Sequence, residues 1–259
     1  MLAGPQTVIA DEPPSSLWQR HAAYLCGVLC GGNARNCRSL SAPGGEFSAP
    51  HERAIRRGRS VWWDVATTRS KESCMTDVVS FTRMQDGTAG DYALLDRIEA
   101  GELRSFPDRV LGWLLAMKDS AGYQISRLDH CLQAATRAHR AGEDEETVVC
   151  TLLHDIGDYL APANHSEVAA AMLRPYVSEK NYWIVKHHGV FQGYYYFHHA
   201  GMDRNVRDRW RDHEHYQATV DFCANYDQNS FDPGYDSEPL PFFEPMVRRV
   251  LDESRRHDL

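Results

Sequence analysis

The sequence predicts an all-α protein. Apolar residues recur at three- and four-residue spacing through most of the chain after Asp91, as they do in amphipathic helices. No alternating apolar and polar stretch is long enough for a strand, and no internal repeat is present. The pair His154-Asp155 follows directly on an apolar helical run, which is an unusual place for a carboxylate.

Charge and composition exclude several classes of function. A formal net charge of −8 argues against a general binder of nucleic acid or of anionic membranes, because phosphates attract the opposite charge. No run of about 18 apolar residues is available to span a bilayer. The 7 cysteines are odd in number and scattered, which is typical of free thiols in a reducing cytoplasm. We therefore expect a cytoplasmic enzyme or binding protein.

The chain divides by composition into two parts. Residues 1–74 are interrupted by Pro13-Pro14, Gly31-Gly32 and Pro43-Gly44-Gly45, and no helical stripe persists there. The spacing of Cys26, Cys30 and Cys37 matches no common zinc pattern. The sequence therefore predicts a weakly ordered or irregular extension over residues 1–74 and one helical domain over residues 75–259.

Local signals place the helices of the first half of this domain. A stripe that includes Tyr92, Leu95 and Ile98 predicts a helix from Asp91 to about Gly101. Ser105 before Phe106-Pro107 predicts the start of the next helix. Ser126 and Asp129 resemble a capping box and predict a helix that runs to about Arg140, ended by Gly142. Asp144 then caps a helix that leads into His154-Asp155.

The second half continues in the same way, with Gly157 breaking the helix that carries the His-Asp pair. Helices are predicted over Ser166–Leu173, Glu179–His188, about His215–Asp227 and Phe242–Arg255. A stretch rich in glycine and aromatic residues, from Gly189 to Gly201, separates the second and third of these. Pro233 to Pro241 is predicted to be a loop.

The His-Asp pair has the chemistry of a metal site. Burying Asp155 beside Leu152, Leu153 and Ile156 is costly unless a cation or strong hydrogen-bond donors compensate it. A carboxylate has two oxygens, so Asp155 could bridge two cations while His154 binds one. Ligands of nitrogen and oxygen without thiolate suit iron, manganese, cobalt or zinc. A lone histidine in the position of His130 is more often a packed core residue than a ligand, but together with the pair His130 becomes a candidate ligand.

These residues resemble a known family. His130, the segment Leu152-Leu153-His154-Asp155-Ile156-Gly157, the segment Ile184-Val185-Lys186-His187-His188 and the late Asp227 are similar to the HD-domain superfamily of metal-dependent enzymes. The resemblance covers roughly residues 90–250. It implies a bundle of about five core helices around one or two metals, which agrees with the all-α prediction.

One branch of that superfamily is closest in pattern. The segment His130-Cys131-Leu132-Gln133-Ala134-Ala135-Thr136, the segment that ends in Gly157, and Asn225-Tyr226-Asp227 resemble mixed-valent diiron oxygenases, which include myo-inositol oxygenase and the hydroxyphosphonate oxygenases. The resemblance implies that one iron is held by His130, His154, Asp155 and Asp227. It implies that the other is held by Asp155, His165 and His187. His188 is interpreted, like His198 and His199, as a residue behind the ligands or at the surface, although it could substitute for His187. Asp221 is the alternative to Asp227.

At the positions that bind the substrate in those relatives, this chain has different residues. Four residues past His154, inositol oxygenase has Lys and the phosphonate enzymes have His, but this chain has Asp158. A Tyr and a Glu of the phosphonate enzymes correspond to Ser120 and Tyr123, and their substrate-binding Lys, four residues past His187, corresponds to Phe191. The substrate is therefore expected to be neither inositol nor the simple aminophosphonate. Asp155, Asp158 and Tyr123 are the candidate catalytic residues.

The aromatic run Tyr194-Tyr195-Tyr196-Phe197 has two interpretations. It is either part of the core and its wall, or a cage for a quaternary ammonium group held by cation–π attraction. Basic residues nearby could anchor an anion, or they could be solvated surface charges. The candidate substrate-binding residues are Lys186, Tyr194, Tyr196 and Arg204, with Arg207 as a further basic candidate.

The sequence thus predicts a diiron oxygenase that uses two Fe ions and O2 to cleave or oxidise a small hydroxylated, anionic or zwitterionic substrate, such as a hydroxyphosphonate. The alternative is a phosphohydrolase of a nucleotide or small phosphate ester, with Mn, Co or Zn and with Asp158 as general base. A third interpretation is a degenerate module that only binds. The full set of ligand candidates argues against that third interpretation.

Overall fold

The computed structural model describes residues 78–119 and 122–252. Over these residues the chain forms helices and turns and contains no strand, so the all-α prediction is confirmed. The predicted N-terminal extension, residues 1–74, lies outside the described residues. No described helix combines the length and the hydropathy needed to cross a bilayer.

The described residues belong to two compact units, of which the smaller covers residues 78–103. It contains a 3-10 turn, Met84–Asp86, and most of helix α1, Ala89–Arg104. The carboxylate of Asp91 organises this unit, because it accepts hydrogen bonds from the backbone N–H of Ser80 at 2.7 Å and of Thr88 at 2.9 Å. The hydroxyls of the same two residues donate to it as well. These donors hold the pKa of Asp91 below its usual value, with the Thr88 hydroxyl contributing most.

The larger unit contains residues 104–119 and 122–252. Its α-helices are α2 (Phe106–Ala116), α3 (Arg127–Arg140), α4 (Glu145–Leu153), α5 (Gly157–Leu160), α6 (His165–Leu173), α7 (Glu179–Tyr196), α8 (Tyr216–Phe222) and α9 (Leu240–Val250). Short 3-10 turns join several of them, and a π-helical turn, Cys223–Asp227, follows α8 directly. Helices α3, α4, α6 and α7 surround the candidate site.

Side-chain caps start these helices where the sequence predicts them. The Ser126 hydroxyl accepts a hydrogen bond from the Asp129 N–H at 3.1 Å, and the Asp129 carboxylate accepts one from the Ser126 N–H at 3.1 Å. This is the reciprocal capping box expected from the sequence. Asp144 caps α4 by accepting from the Thr147 N–H at 2.7 Å. These two caps fix where α3 and α4 begin and therefore where His130 and His154 lie.

Helix α7 is two turns longer than the sequence predicts. The prediction ended it at His188, before Gly189, but the helix continues to Tyr196. Gly189 serves close packing here and does not break the helix. A Cβ atom at Gly189 would lie 2.8 Å from the Ser166 hydroxyl and 3.6 Å from the His165 ring. The missing side chain lets α7 approach α6 and brings His188 beside His165.

A single hydrophobic core supports these helices. Leu114 of α2, Leu152 of α4, Phe191 of α7 and Phe243 of α9 all have 0% of their surface exposed. Burying an aliphatic or aromatic side chain of this size stabilises a fold by about 1.5–3 kcal/mol. Such a core makes the supporting helices rigid, so the polar side chains at their inner ends are held in place.

The segment between the π-helical turn and α9 lies along α3. The side-chain amide of Gln133 makes two hydrogen bonds to the backbone of Asp232. Its NH2 group donates to the Asp232 carbonyl at 2.7 Å, and its oxygen accepts from the Asp232 N–H at 3.2 Å. The Thr136 hydroxyl accepts from the Glu238 N–H at 3.0 Å. Hydrogen bonds to α3 therefore hold this segment both just before Pro233 and within the loop predicted from Pro233 to Pro241. Ser230 and Phe231, at the start of the segment, lie against His130.

Candidate metal centre

His130 and His154 face each other with their Nε2 atoms 3.2 Å apart. Each ring is oriented from behind, since His130 Nδ1 lies 2.8 Å from the Ser230 carbonyl and His154 Nδ1 lies 2.7 Å from the Thr151 carbonyl. A carbonyl only accepts, so both Nδ1 atoms carry the proton and both Nε2 lone pairs point inward. Two lone pairs at this distance repel each other unless a cation lies between them.

Asp155 separates two groups of histidines with its two oxygens. Oδ2 lies 3.5 Å from His130 Nε2 and 3.7 Å from His154 Nε2. Oδ1 lies 3.1 Å from His188 Nε2 and 3.5 Å from His165 Nε2. The carboxylate therefore contributes one oxygen to each group, as a bridging ligand between two cations would.

Asp227 completes the first group. Its Oδ1 lies 3.4 Å from His130 Nε2 and 3.7 Å from His154 Nε2, and it also accepts a hydrogen bond from Gln192 at 2.9 Å. Its Oδ2 is buried and has no hydrogen-bond partner among the described residues. The π-helical turn places Asp227 here, while the alternative candidate Asp221 is exposed and accepts from Gln217 at 2.8 Å.

His165 and His188 form the second group, with their Nε2 atoms 3.3 Å apart. His188 Nδ1 lies 2.6 Å from the Val185 carbonyl, so this ring also presents a bare Nε2 to the cluster. On the opposite side, the Nδ1 atom of His165 lies 3.6 Å from Asp158 Oδ1. Both groups therefore consist of imidazole nitrogens and carboxylate oxygens.

His187, which the resemblance implied as a ligand, does not join this cluster, and His188 takes that position. The His187 ring stacks on Trp183 at 3.7 Å and packs edge-on against Trp210 at 5.1 Å. Burial lowers the pKa of His187 to about 4. Successive residues of an α-helix point about 100° apart, so only one of two adjacent histidines can face the cluster.

The electrostatics of the cluster indicate that it requires positive charge. Burial would raise the pKa of Asp155, but the histidines, led by His154, outweigh it and hold that pKa well below its usual value. Burial would lower the pKa of His130. A hydrogen bond with Asp227 and the negative charges of Asp155 and Asp227 outweigh burial and raise that pKa. The carboxylates are thus ionised, and protons or metal ions must neutralise them.

Metal ions fit this set of donors. Inward lone pairs on His130, His154 and His188, two ionised carboxylates and the unpartnered Oδ2 of Asp227 are satisfied together by cations. Two three-residue sets have ligand atoms mutually close enough for a shared ion, His130–His154–Asp227 and His154–Asp155–His188. His154 belongs to both sets but has one inward lone pair, so it would bind the first metal with His130 and Asp227. Asp155, His165 and His188 would hold the second metal.

Asp158 and Arg127 support the second group from outside. Arg127 Nη1 lies 2.5 Å from Asp158 Oδ2 and 3.6 Å from Asp155 Oδ2. Burial, followed by the charge of Asp155, raises the pKa of Asp158 to about 7, although Arg127 opposes the rise. A carboxylate behind a ligating histidine orients its ring and increases its basicity. Asp158 is therefore placed to orient His165, in addition to the catalytic role that the sequence predicts for it.

Aromatic side chains form the wall beside the first group. Phe231 stacks on the His130 ring at 4.3 Å, and Tyr123 packs on Phe231 at 4.8 Å while remaining 43% exposed. Burial raises the pKa of Tyr123 and also that of Tyr196, to which the charge of Asp227 contributes. Both phenols therefore stay protonated. Their hydroxyls are therefore neutral.

The remaining candidate substrate residues lie elsewhere on α7 or beyond it. Lys186 contacts the Tyr182 ring at 5.6 Å, about 200° around the helix from His188. Tyr194 is contacted by the guanidinium of Arg204 at 4.0 Å and that of Arg207 at 3.8 Å. Among the described residues, the cation–π partners of the Tyr194 ring are thus the protein's own arginines.

Three residues of the site were not foreseen from the sequence. Gln192 donates to Asp227, Ser230 orients His130, and Arg127 contacts both Asp155 and Asp158. Helical spacing contained a signal for two of them, since Gln192 is one turn after His188 and Arg127 is one turn before His130. The substrate-binding Lys of the phosphonate enzymes stands four residues past the ligand histidine. If His188 is that ligand, the corresponding residue in this chain is Gln192, and not the buried Phe191. Ser230 acts through its backbone, so its side chain gave no signal.

Comparison with known families agrees with this geometry. The sequence model of one family, described as HD domain, matches residues 127–219. That range contains His130, His154, Asp155, His165 and His188 but ends before Asp227. HD domains bind divalent metals and are generally enzymes of the metal-dependent phosphohydrolase type. No curated protein gives a significant match to the chain.

Removing metal should lower the stability of the chain. Without cations the inward lone pairs and two buried carboxylates repel one another, so we expect chelation to reduce the midpoint of thermal unfolding. A metal present at about 1,000 times its dissociation constant stabilises the native state by about 4 kcal/mol. Thermal unfolding of the full chain with chelator and with added divalent metal measures this. The His154→Ala variant is the control. If added metal raises the unfolding midpoint of the wild type and of this variant equally, the metal does not bind at the proposed site.

Proposed function

From the HD domain at residues 127–219, we propose that this chain is a two-metal enzyme, and more specifically a diiron oxygenase. Its substrate would be a small hydroxylated molecule that is anionic or zwitterionic, such as a hydroxyphosphonate. The residues proposed to hold the metals are His130, His154, Asp155, His165, His188 and Asp227. O2 and the organic molecule would be the two substrates.

The position of Asp155 carries the two-metal proposal. Its Oδ2 faces His130 and His154 at 3.5 and 3.7 Å, while its Oδ1 faces His188 and His165 at 3.1 and 3.5 Å. A site for one ion would need only one of these groups. The second pair of imidazoles supports two cations that share a carboxylate.

The donor types support iron. The cluster offers imidazole nitrogen and carboxylate oxygen, which suit iron, and no thiolate, which would favour zinc or copper(I). Cys131 and Cys223 lie close by, but burial raises the pKa of both thiols well above the usual range, and the charges of Asp155 and Asp227 raise it further. Burial therefore disfavours the thiolate form of both cysteines.

The chain's own residues would bind and orient the substrate beside the metals. Bound iron ions would supply oxygen activation and a Lewis-acid anchor for the substrate's hydroxyl. Tyr123 and Tyr196 present neutral phenols that can donate hydrogen bonds to the substrate's oxyanion. Phe231, stacked on His130, covers the first group of ligands and limits the access of water there.

The pattern shared with the oxygenase branch also has a structural role. Within the segment His130–Thr136, Gln133 and Thr136 hold the loop that carries Ser230, and Ser230 orients His130. The similarity therefore extends from a ligand to the residues that orient it.

A phosphohydrolase is the second candidate, because it is the usual activity of the HD domain matched here. Asp158 favours it further. Its carboxyl lies 3.6 Å from His165 and has a pKa raised to about 7 by burial, followed by the charge of Asp155. A carboxyl with that pKa can take a proton from an attacking water near neutral pH. Mn, Co or Zn would replace iron in this case.

Metal content and oxygen uptake separate the two activities. Full-length protein purified without oxygen should contain about two irons per chain and should consume O2 with a hydroxyphosphonate or a polyol. His154→Ala should lose both properties. Arg83→Gln should keep them, because Arg83 is exposed and distant in sequence from the proposed ligands. A single Mn, Co or Zn with release of phosphate from esters and no oxygen uptake would reject the oxygenase and establish the phosphohydrolase.

A further inference from the structure

Two arginines converge on one tyrosine at the end of α7. The guanidinium carbon of Arg207 lies 3.8 Å from the centre of the Tyr194 ring, and that of Arg204 lies 4.0 Å from it. Arg207 belongs to the 3-10 turn Val206–Trp210. Two positive charges are therefore held within the reach of one aromatic ring.

Arg207 is unusual because it is buried as a charge. Only 9% of its surface is exposed, and its Nε and Nη1 atoms have no hydrogen-bond partner among the described residues. The Nε atom of Arg204 is also buried and unpartnered within the described part of the chain. Arg207 does form a hydrogen bond with the Tyr195 phenol. Burial raises the pKa of Tyr195, and this hydrogen bond offsets only part of the rise.

The carboxylates closest in sequence are committed to other partners. Asp208 binds Arg211 at 2.5 Å and accepts from the Tyr216 hydroxyl at 2.7 Å. Asp203 accepts from the Asn205 N–H at 2.8 Å. Among residues 78–119 and 122–252, no carboxylate forms an ion pair with Arg204 or Arg207.

Burial without a counter-charge is costly for a guanidinium, and a cation–π contact offsets only part of that cost. We propose that Arg207 and Arg204 form a binding site for a tetrahedral oxyanion, phosphate or phosphonate. Three unpartnered nitrogens on two side chains need several acceptor atoms, which a phosphate or phosphonate group supplies and a monatomic anion does not. The anion would neutralise the pair and satisfy these N–H groups.

The oxyanion could be a free anion or the anionic end of a substrate held at the metal centre. Both arginines contact Tyr194 of α7, the helix that also carries His188. The site itself rests on the arginines and not on the identity of the metals, so it can be tested apart from the proposed function.

Thermal unfolding and phosphate titration of the full chain test the proposal. Inorganic phosphate should raise the unfolding midpoint of the wild type, and Arg207→Met should weaken phosphate binding by at least about tenfold. Arg204→Gln should weaken it too. Arg209→Gln, which removes an exposed charge from the same turn, is the control and should change the affinity by less than about twofold.

The behaviour of Arg207→Met without phosphate distinguishes a binding site from a structural arginine. An unpaired buried charge destabilises the chain, so its replacement by an apolar side chain should leave the midpoint unchanged or raise it when no anion is present. A fall of several degrees together with no response of the wild type to phosphate would overturn the proposal. An equal loss of phosphate binding in Arg209→Gln would also overturn it, because it would indicate only general attraction.

Chelation identifies the source of the oxyanion. If the Arg207-dependent affinity for phosphate persists after metal removal, the site binds a free anion. If that affinity requires metal, the site receives the anionic end of a molecule that is also held at the metal centre. If phosphate binds with the same affinity to wild type and Arg207→Met in both conditions, the proposal is wrong.

Discussion

Replacing His188 by alanine is expected to reduce the metal content from about two ions per chain to about one, whereas replacing His187 should leave it unchanged. His188 Nε2 lies 3.1 Å from Asp155 Oδ1 and 3.3 Å from His165 Nε2, so its loss leaves the second metal with two protein donors. His187 points instead into the stack with Trp183 and Trp210. Metal analysis of the two purified variants, side by side, measures this difference.

The pair forms a matched comparison, since the two histidines are adjacent on α7 and undergo the same chemical change. His187→Ala removes a ring from an aromatic stack and should lower stability by about 1–3 kcal/mol without loss of metal. His188→Ala should lose activity under either the oxygenase or the phosphohydrolase proposal. Loss of metal in His187→Ala with retention in His188→Ala would contradict the arrangement described here.

Gly157→Ala is expected to destabilise the chain strongly and to disturb the second metal position. A Cβ atom at residue 157 would lie 2.0 Å from the carbonyl oxygen of His165 and 2.6 Å from its Cα. Backbone cannot move aside as a flexible side chain does, so the start of α6 would have to shift, taking the His165 ligand with it. Overpacking of this kind costs about 3 kcal/mol, which is roughly 6–12 °C in the unfolding midpoint of a domain this size.

Gly112→Ala provides the control for this change. Gly112 lies within α2, and a Cβ atom there would have no atom within 4 Å. Because glycine is a poor helix former, the alanine should stabilise the chain by about 0.5–1 kcal/mol. Thermal unfolding and metal content of both variants test the prediction. A Gly157→Ala variant as stable and as rich in metal as the wild type would show that α5 and α6 do not pack as described.

The helices of the larger unit could be predicted because their signals are local. Ser126 with Asp129, and Asp144, contain in a few residues the hydrogen bonds that begin α3 and α4. The prediction of α7 was too short because Gly189 usually interrupts a helix, and only packing against α6 shows why it does not do so here. The end of a helix is thus less predictable where a glycine serves a close contact between helices.

The candidate ligands could be predicted as residue types, but their arrangement could not. Asp155 in an apolar run already indicated a compensating cation, and His130 and Asp227 followed from the resemblance. Whether His187 or His188 faces the cluster depends on the rotation of α7 about its axis, where one residue corresponds to about 100°. Asp227 reaches the cluster through a π-helical turn, for which no sequence signal was recognised.

By itself, the sequence determined the all-α class, the starts of the main helices and the chemical nature of the donors, because these depend on neighbouring residues and on side-chain type. Only the tertiary structure decided which histidine joins the cluster, how the two oxygens of Asp155 divide the imidazoles, and which arginine is buried without a counter-charge. Those properties depend on how helices distant in sequence rotate and pack against one another, and such packing is a property of the whole unit.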